Sequence, residues 1–148
     1  MIPFTPQAFN QLRADKTLLL QQRKETVVRL STAREMGDLS ENGAYKYAKQ
    51  ELGDIGRKLR KLNYLLSEGE IIQPKEHSVV EFGATVELAG PRGKQTYTIV
   101  SEYESNPVER KLAMTSPIGA AIIGKKVGEL VTVETPNGEV TYTISAIS

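Results

Sequence analysis

The sequence predicts an α+β protein in two parts: a hairpin of two long helices over residues 1–72, then a small β-rich domain over 73–148. Three observations predict this. The run from Pro6 to Glu35 contains no glycine or internal proline. The segment from Tyr45 to Leu66 places apolar residues at steps of 3, 4, 3, 4, 3 and 4, which is a helical heptad seam. Beyond Pro74 the pattern changes to short alternating runs separated by turn residues, the signature of strands.

Thr5 followed by Pro6 gives the first helix an N-cap and a proline at its first position, where the missing N–H costs nothing. Leu12, Leu19, Leu20, Val27 and Leu30 form its apolar stripe, diluted by Lys16 and Arg23. Met36-Gly37-Asp38 then signals a turn. The second helix carries Tyr45, Ala48, Leu52, Ile55, Leu59, Leu62 and Leu66 on one seam and should stop near Ser67-Glu68-Gly69, with Gly69 as its C-terminal cap. Each helix needs cover for its stripe, so the two fold back antiparallel into a rod on the order of 40 Å long. Gly53 and Gly56 each weaken the second helix, by roughly 0.5–1 kcal/mol relative to alanine. Only local flexibility or close approach of the first helix suggests itself as a reason.

A linker is expected at about 71–78. Candidate strands lie at Thr85–Leu88, Thr96–Val100, Lys111–Met114, Val131–Thr135 and Val140–Ile147. The last two are joined by Pro136-Asn137-Gly138-Glu139, with its Asn-Gly hairpin signal. One short helix interrupts them: Ser116 caps it, Pro117 opens it and Gly124 closes it.

Bulk properties narrow the function. With 19 basic and 18 acidic residues, the chain lacks the overall basicity of a protein that coats nucleic acid. Absence of cysteine excludes disulfides and thiolate chemistry and fits a cytoplasmic protein. The start shows no secretory pattern, and no run is apolar enough for a transmembrane helix. The single His77 reads as a linker or surface residue. Tyr97, Tyr103 and Tyr142 read as packing residues.

Chemistry concentrates at the turn between the helices. Asp38 and Glu41 are three residues apart at a helix start. One reading is a capping box, with Asp38 as N-cap and Glu41 reaching back to the backbone. The other is a pair of oxygen ligands for a divalent cation, completed by water, phosphate and a partner's groups. Lys46, Lys49, Arg57 and Arg60 form a basic stripe beside the seam, flanked by Lys58 and Lys61. The first 70 residues hold 12 basic and 9 acidic residues, so any track for an RNA backbone lies there, although an ordinary solvated face has the same composition.

The segment Ala33-Arg34-Glu35-Met36-Gly37-Asp38-Leu39-Ser40-Glu41-Asn42, followed by Tyr45, resembles the coiled-coil tip of the GreA/GreB transcript-cleavage factors. Phe82-Gly83-Ala84-Thr85-Val86, Ser116-Pro117-Ile118, Ile123-Gly124-Lys125-Lys126-Val127-Gly128 and Thr135-Pro136-Asn137-Gly138-Glu139 resemble their C-terminal FKBP-like domain, in the same order. The resemblance covers nearly the whole chain. It implies a factor, not itself an enzyme, that enters the secondary channel of bacterial RNA polymerase tip-first and stimulates the polymerase's own cleavage of backtracked RNA. Asp38 and Glu41 would then help hold a Mg²⁺ shared with the polymerase, with no cofactor bound by the protein alone. Arg34, Asn42 and Tyr45 would position the tip, water or the nascent RNA 3′ end, and Ser116, Pro117 and Ile118 would dock on the channel rim. No membrane partner is implied. Ser40, Gly43 and Ala44 stand where the family commonly has lysine, alanine and glutamate, which bears on potency and on the length of RNA cut. Rival readings are a secondary-channel inhibitor from the same superfamily, a prolyl isomerase, for which the aromatic residues are too few, and a structural adaptor whose tip carboxylates only cap.

Overall fold

The computed structural model describes residues 1–37 and 42–148, and Asp38, Leu39, Ser40 and Glu41 lie outside the described residues. The elements run β1 (Ile2–Phe4), α1 (Pro6–Arg34), α2 (Gly43–Glu68), β2 (Gly69–Ile71), β3 (Thr85–Gly90), β4 (Gly93–Val100), β5 (Lys111–Ala113), α3 (Pro117–Ile122), β6 (Leu130–Thr135) and β7 (Gly138–Ile147). The predicted α+β class is the observed one. Two compact units divide the chain: Phe9–Gly69, and Met1–Ala8 together with Glu70–Ser148.

The helical unit holds α2 and all of α1 beyond its first turn. Thr5 caps α1 as the sequence predicts, its Oγ1 accepting from Ala8 N at 3.3 Å. Within this unit α1 buries only Phe9, Thr26 and Ala33, and Arg13 stacks its guanidinium over the Phe9 ring at 4.7 Å. The predicted α1 stripe is correspondingly loose: Leu12, Leu19, Leu20 and Leu30 are half-buried and Val27 is exposed. The α2 seam holds, with Ala48, Ile55, Leu59, Leu62 and Leu65 buried. Leu65 rather than Leu66 closes it, because a straight 3.6-residue helix drifts away from a strict seven-residue repeat.

The helices run antiparallel, since Arg29 of α1 pairs with Glu51 of α2 at 2.5 Å and Ala33 meets Asn42 nearer the turn. Thr26 is fully buried, and its hydroxyl donates to Gln22 O at 2.8 Å. Gly53 and Gly56 are not forced by the partner helix. A Cβ at either would meet only the Arg57 or Arg60 guanidinium, at 3.7 and 3.5 Å. At the far end Gly69 caps α2 in an extended conformation, φ −75° and ψ 147°. The left-handed cap expected of a glycine is absent because the chain passes straight into β2.

The second unit holds two sheets. β1 and β2 form a two-stranded one, extended by a 2.9 Å bond from Ile72 N to Phe4 O. Glu104 joins this edge, accepting from Thr5 N at 2.7 Å and Thr5 Oγ1 at 3.0 Å. The five-stranded sheet has the order β5-β4-β3-β7-β6. All pairs are antiparallel except β4 with β5, and the β3–β7 register slips at Glu87/Leu88. Alternation of small β-branched residues buries one face: Val86, Leu88, Ile99, Val131 and Ile144 pack with Val80, Ala84 and, from α3, Ile122. A Cβ at Gly90 would stand 2.8 Å from the Tyr142 ring, so the aromatic face takes the place of a side chain there.

His77 departs from the surface reading. Its ring is 3% exposed, with Nδ1 at 2.7 Å from Glu81 Oε1, and Lys75 Nζ lies 3.4 Å from the same oxygen. The His77 hydrogen bond, aided by Lys75 and opposed by partial desolvation, holds the Glu81 carboxyl below its ordinary 4.5. A depressed carboxylate stabilises the fold at pH above the unfolded value and loses that contribution as pH falls through the folded one. Glu81→Gln should therefore be less stable than the parent at about pH 6, and the gap should close toward about pH 3, as read by urea denaturation. Gly53→Ala and Gly56→Ala should each raise stability by roughly 0.5–1 kcal/mol in the same assay.

Candidate functional site at the helical turn

The turn is built from two helix ends. At the end of α1, Glu35 N reaches Ser31 O and Thr32 O at 3.3 and 3.2 Å, and Met36 N donates to Ala33 O at 3.1 Å. The bonds to Thr32 O and Ala33 O span three residues and tighten the last turn, giving partners to carbonyls at the helix end. Gly37 then adopts φ +113°, a conformation that side chains disfavour, so glycine fits here.

α2 does not start at Asp38. Its N-cap is Asn42, whose backbone is extended and whose Oδ1 accepts from Tyr45 N at 3.1 Å. The capping-box reading of Asp38 and Glu41 falls on residues that are not described. Asn42 is as good a cap as aspartate and stands directly before the helical run. Asp38 and Glu41 themselves lie outside the described residues. The Asn42 Nδ2 donates to Ala33 O at 2.6 Å, which ties the two helix ends together. Alongside, the Arg34 guanidinium lies 5.8 Å from the Tyr45 ring centroid, within cation–π range. Three residues predicted to position the tip, Arg34, Asn42 and Tyr45, are therefore brought together, and their contacts are with each other and with Ala33.

Lys46, Lys49, Arg57 and Arg60 are exposed along α2. Arg57 is paired with Asp54 one turn before it, whereas Lys46, Lys49 and Arg60 make no ion pair with a described residue. The stripe is thus a solvated row of cations of which Arg57 is partly neutralised. Among the described residues, no group of three or more His, Asp or Glu side chains could hold a metal ion.

In the second unit, Ser116 is the N-cap of α3 and Pro117 opens it, as predicted. The Ser116 hydroxyl donates to Ala113 O at 2.7 Å and accepts from Gly119 N at 3.0 Å. Pro117 is exposed and Ile118 half-buried. Beside them lies an open cleft of about 250 Å³, walled by Leu112, Ile118, Val133 and Pro136. Sequence reasoning missed the residue that shapes this corner. A Cβ on Gly119 would stand 2.0 Å from Ala113 O, so only glycine lets α3 sit against the end of β5. A lone glycine within Pro-Ile-Gly-Ala-Ala gives no such signal in the sequence.

No helix among the described residues is long and apolar enough to cross a membrane. The family profile described as "Transcription elongation factor, N-terminal" matches residues 2–71, and that described as "Transcription elongation factor, GreA/GreB, C-term" matches residues 74–148. Transcription elongation factor GreA of Neorickettsia sennetsu is 37% identical over 151 residues, covering 99% of this chain and 95% of that one. Its counterpart in Thermomicrobium roseum is 38% identical over 141 residues, covering 93% and 90%. Among solved structures, Thermus aquaticus Gfh1 aligns over 99% of this chain and 97% of its own, with 26% identity and a TM-score of 0.47.

Gly119→Ala should cost about 2–3 kcal/mol of stability through displacement of α3 from Ala113, seen as a lowered denaturation midpoint of the second unit.

Proposed function

The chain belongs to the GreA/GreB family of transcription elongation factors, and from that premise we propose that its helical turn enters the secondary channel of bacterial RNA polymerase and stimulates cleavage of backtracked nascent RNA. The observation that carries this reading is the placement of Asp38 and Glu41 in sequence between two helix ends that Asn42 ties together. α2 alone, at 26 residues, spans on the order of 40 Å, long enough to carry a group from a protein surface to a buried active site.

The donor set fits a shared Mg²⁺. Two carboxylates supply hard oxygen ligands, and Mg²⁺ commonly takes only one or two of these, with water and phosphate completing the octahedron. Held there, the ion would supply an activated water for attack on phosphorus and charge to offset that on the phosphodiester. Asp38 and Glu41 would be the residues of this chain that hold the ion and the attacking water. Lys46, Lys49 and Arg60, exposed and without an acidic partner among the described residues, offer cations to the phosphates of extruded RNA. Ser116, Pro117 and Ile118 form the surface that meets the channel rim. The chain acts in the cytoplasm as an accessory, and the polymerase performs the bond cleavage.

The test uses a stalled, backtracked elongation complex with labelled RNA and Mg²⁺. Wild-type protein should release short 3′ fragments, while Asp38→Ala and Glu41→Ala variants with unchanged circular dichroism should lose at least about 100-fold in rate. Slowed elongation without cleavage, by wild type and variants alike, would assign the inhibitor role instead. No effect on polymerase in either form would remove this reading altogether.

A further inference from the structure

Asn42 uses both ends of its side-chain amide within the chain. Its Oδ1 takes the Tyr45 N–H at 3.1 Å, and its Nδ2 gives a proton to Ala33 O at 2.6 Å. The first contact belongs to the start of α2, the second to the last turn of α1. Ala33 is only 3% exposed, and its carbonyl accepts from both Met36 N at 3.1 Å and Asn42 Nδ2, so the Asn42 bond adds a link across the turn to a carbonyl already held by its own helix end.

We infer that Asn42 is a positioning residue for the proposed cleavage reaction: its carboxamide sets the separation of the two helix ends that bracket Asp38 and Glu41, and it touches neither RNA nor metal. This inference rests on the function proposed above. Capping alone does not explain asparagine. Aspartate and serine cap as well, and each supplies the acceptor that Tyr45 N needs. Only asparagine among the good caps also carries an N–H donor on the opposite side of the same planar group. Aspartate turns a second oxygen toward the Ala33 carbonyl, and serine is too short to reach both partners. Arg34 over the Tyr45 ring is a second bridge across the same two ends, so the clasp acts on a junction already restrained against sliding. Ligand placement of this kind matters because an error near 1 Å in a reacting group can cost about 10²-fold in rate.

Asn42→Ser and Asn42→Asp isolate the clasp, since both keep the cap and one adds no charge. Each is compared with wild type on backtracked complexes, with protein and Mg²⁺ titrated separately. Both variants should keep wild-type helicity and a half-saturating protein concentration within about twofold, yet lose about tenfold or more in saturating cleavage rate. Both should also need more Mg²⁺ for half-maximal rate, a change that loss of folded protein alone does not produce. The inference is overturned if either variant retains the wild-type saturating rate and Mg²⁺ requirement, or if the loss appears wholly as weaker binding. Should wild type itself fail to stimulate cleavage, the proposed function fails and the clasp is judged separately. Slow exchange of the Asn42 side-chain amide protons by NMR would then support it, and free exchange would overturn it.

Discussion

The helical unit depends on one asymmetry: α2 carries the apolar seam and α1 supplies mostly small or polar cover. Ala48, Ile55, Leu59, Leu62 and Leu65 are buried on α2, against Phe9, Thr26 and Ala33 on α1. Neither helix is stable without the other, because an isolated helix of this composition gains too little to offset its ordering entropy. Among the described residues of this unit, the buried hydroxyl of Thr26 finds its acceptor within its own helix. The Arg29–Glu51 pair is half-exposed and adds register more than energy. The functional consequence is geometric. A pair held by one seam brings the last turn of α1 and the first turn of α2 together, where Asn42 joins Ala33.

The second unit solves a different problem, how to hold a short helix firmly on a small sheet. Six residues of α3 cannot stabilise themselves. The Ser116 hydroxyl, the Ala113 carbonyl and the bare Cα of Gly119 do so together, while Ile122 enters the core. The surface formed by Pro117 and Ile118 is consequently rigid although it lies on an exposed corner. Rigidity would favour the docking role proposed for this face, since ordering a loose segment on binding would subtract from affinity.

Much of the architecture was legible in the sequence for identifiable reasons. Long elements were readable because periodicity accumulates: the α2 seam and the β6–β7 alternation around Asn137-Gly138 both appear where expected. Caps made by a side chain on its own local backbone, Thr5 and Ser116, were also readable. Three-residue strands such as β1 and β2 carry too few residues for a period to show. The parallel pairing of β4 with β5 depends on the path of 101–110, which no local pattern fixes. The Asn42 cap of α2 was not read from the sequence, because several residue types of this turn suit a cap and sequence alone does not choose among them. Burial of His77 depends on a partner, Glu81, whose selection is a tertiary matter. At the candidate site, the residue types were readable from a short motif, while the joining of Asn42 to Ala33 was not, since that contact spans the turn.

The strand order leaves β5 and β6 at the margins of the five-stranded sheet. β5 offers only three residues, too few to template another chain. β6 is longer, but its outward positions include Thr132 and Glu134 and it runs into Pro136, features that discourage strand addition. Backbone-to-backbone recruitment is therefore disfavoured at the five-stranded sheet, and whatever binds there must be recognised through side chains, which makes specificity a property of the surface residues rather than of the sheet edge.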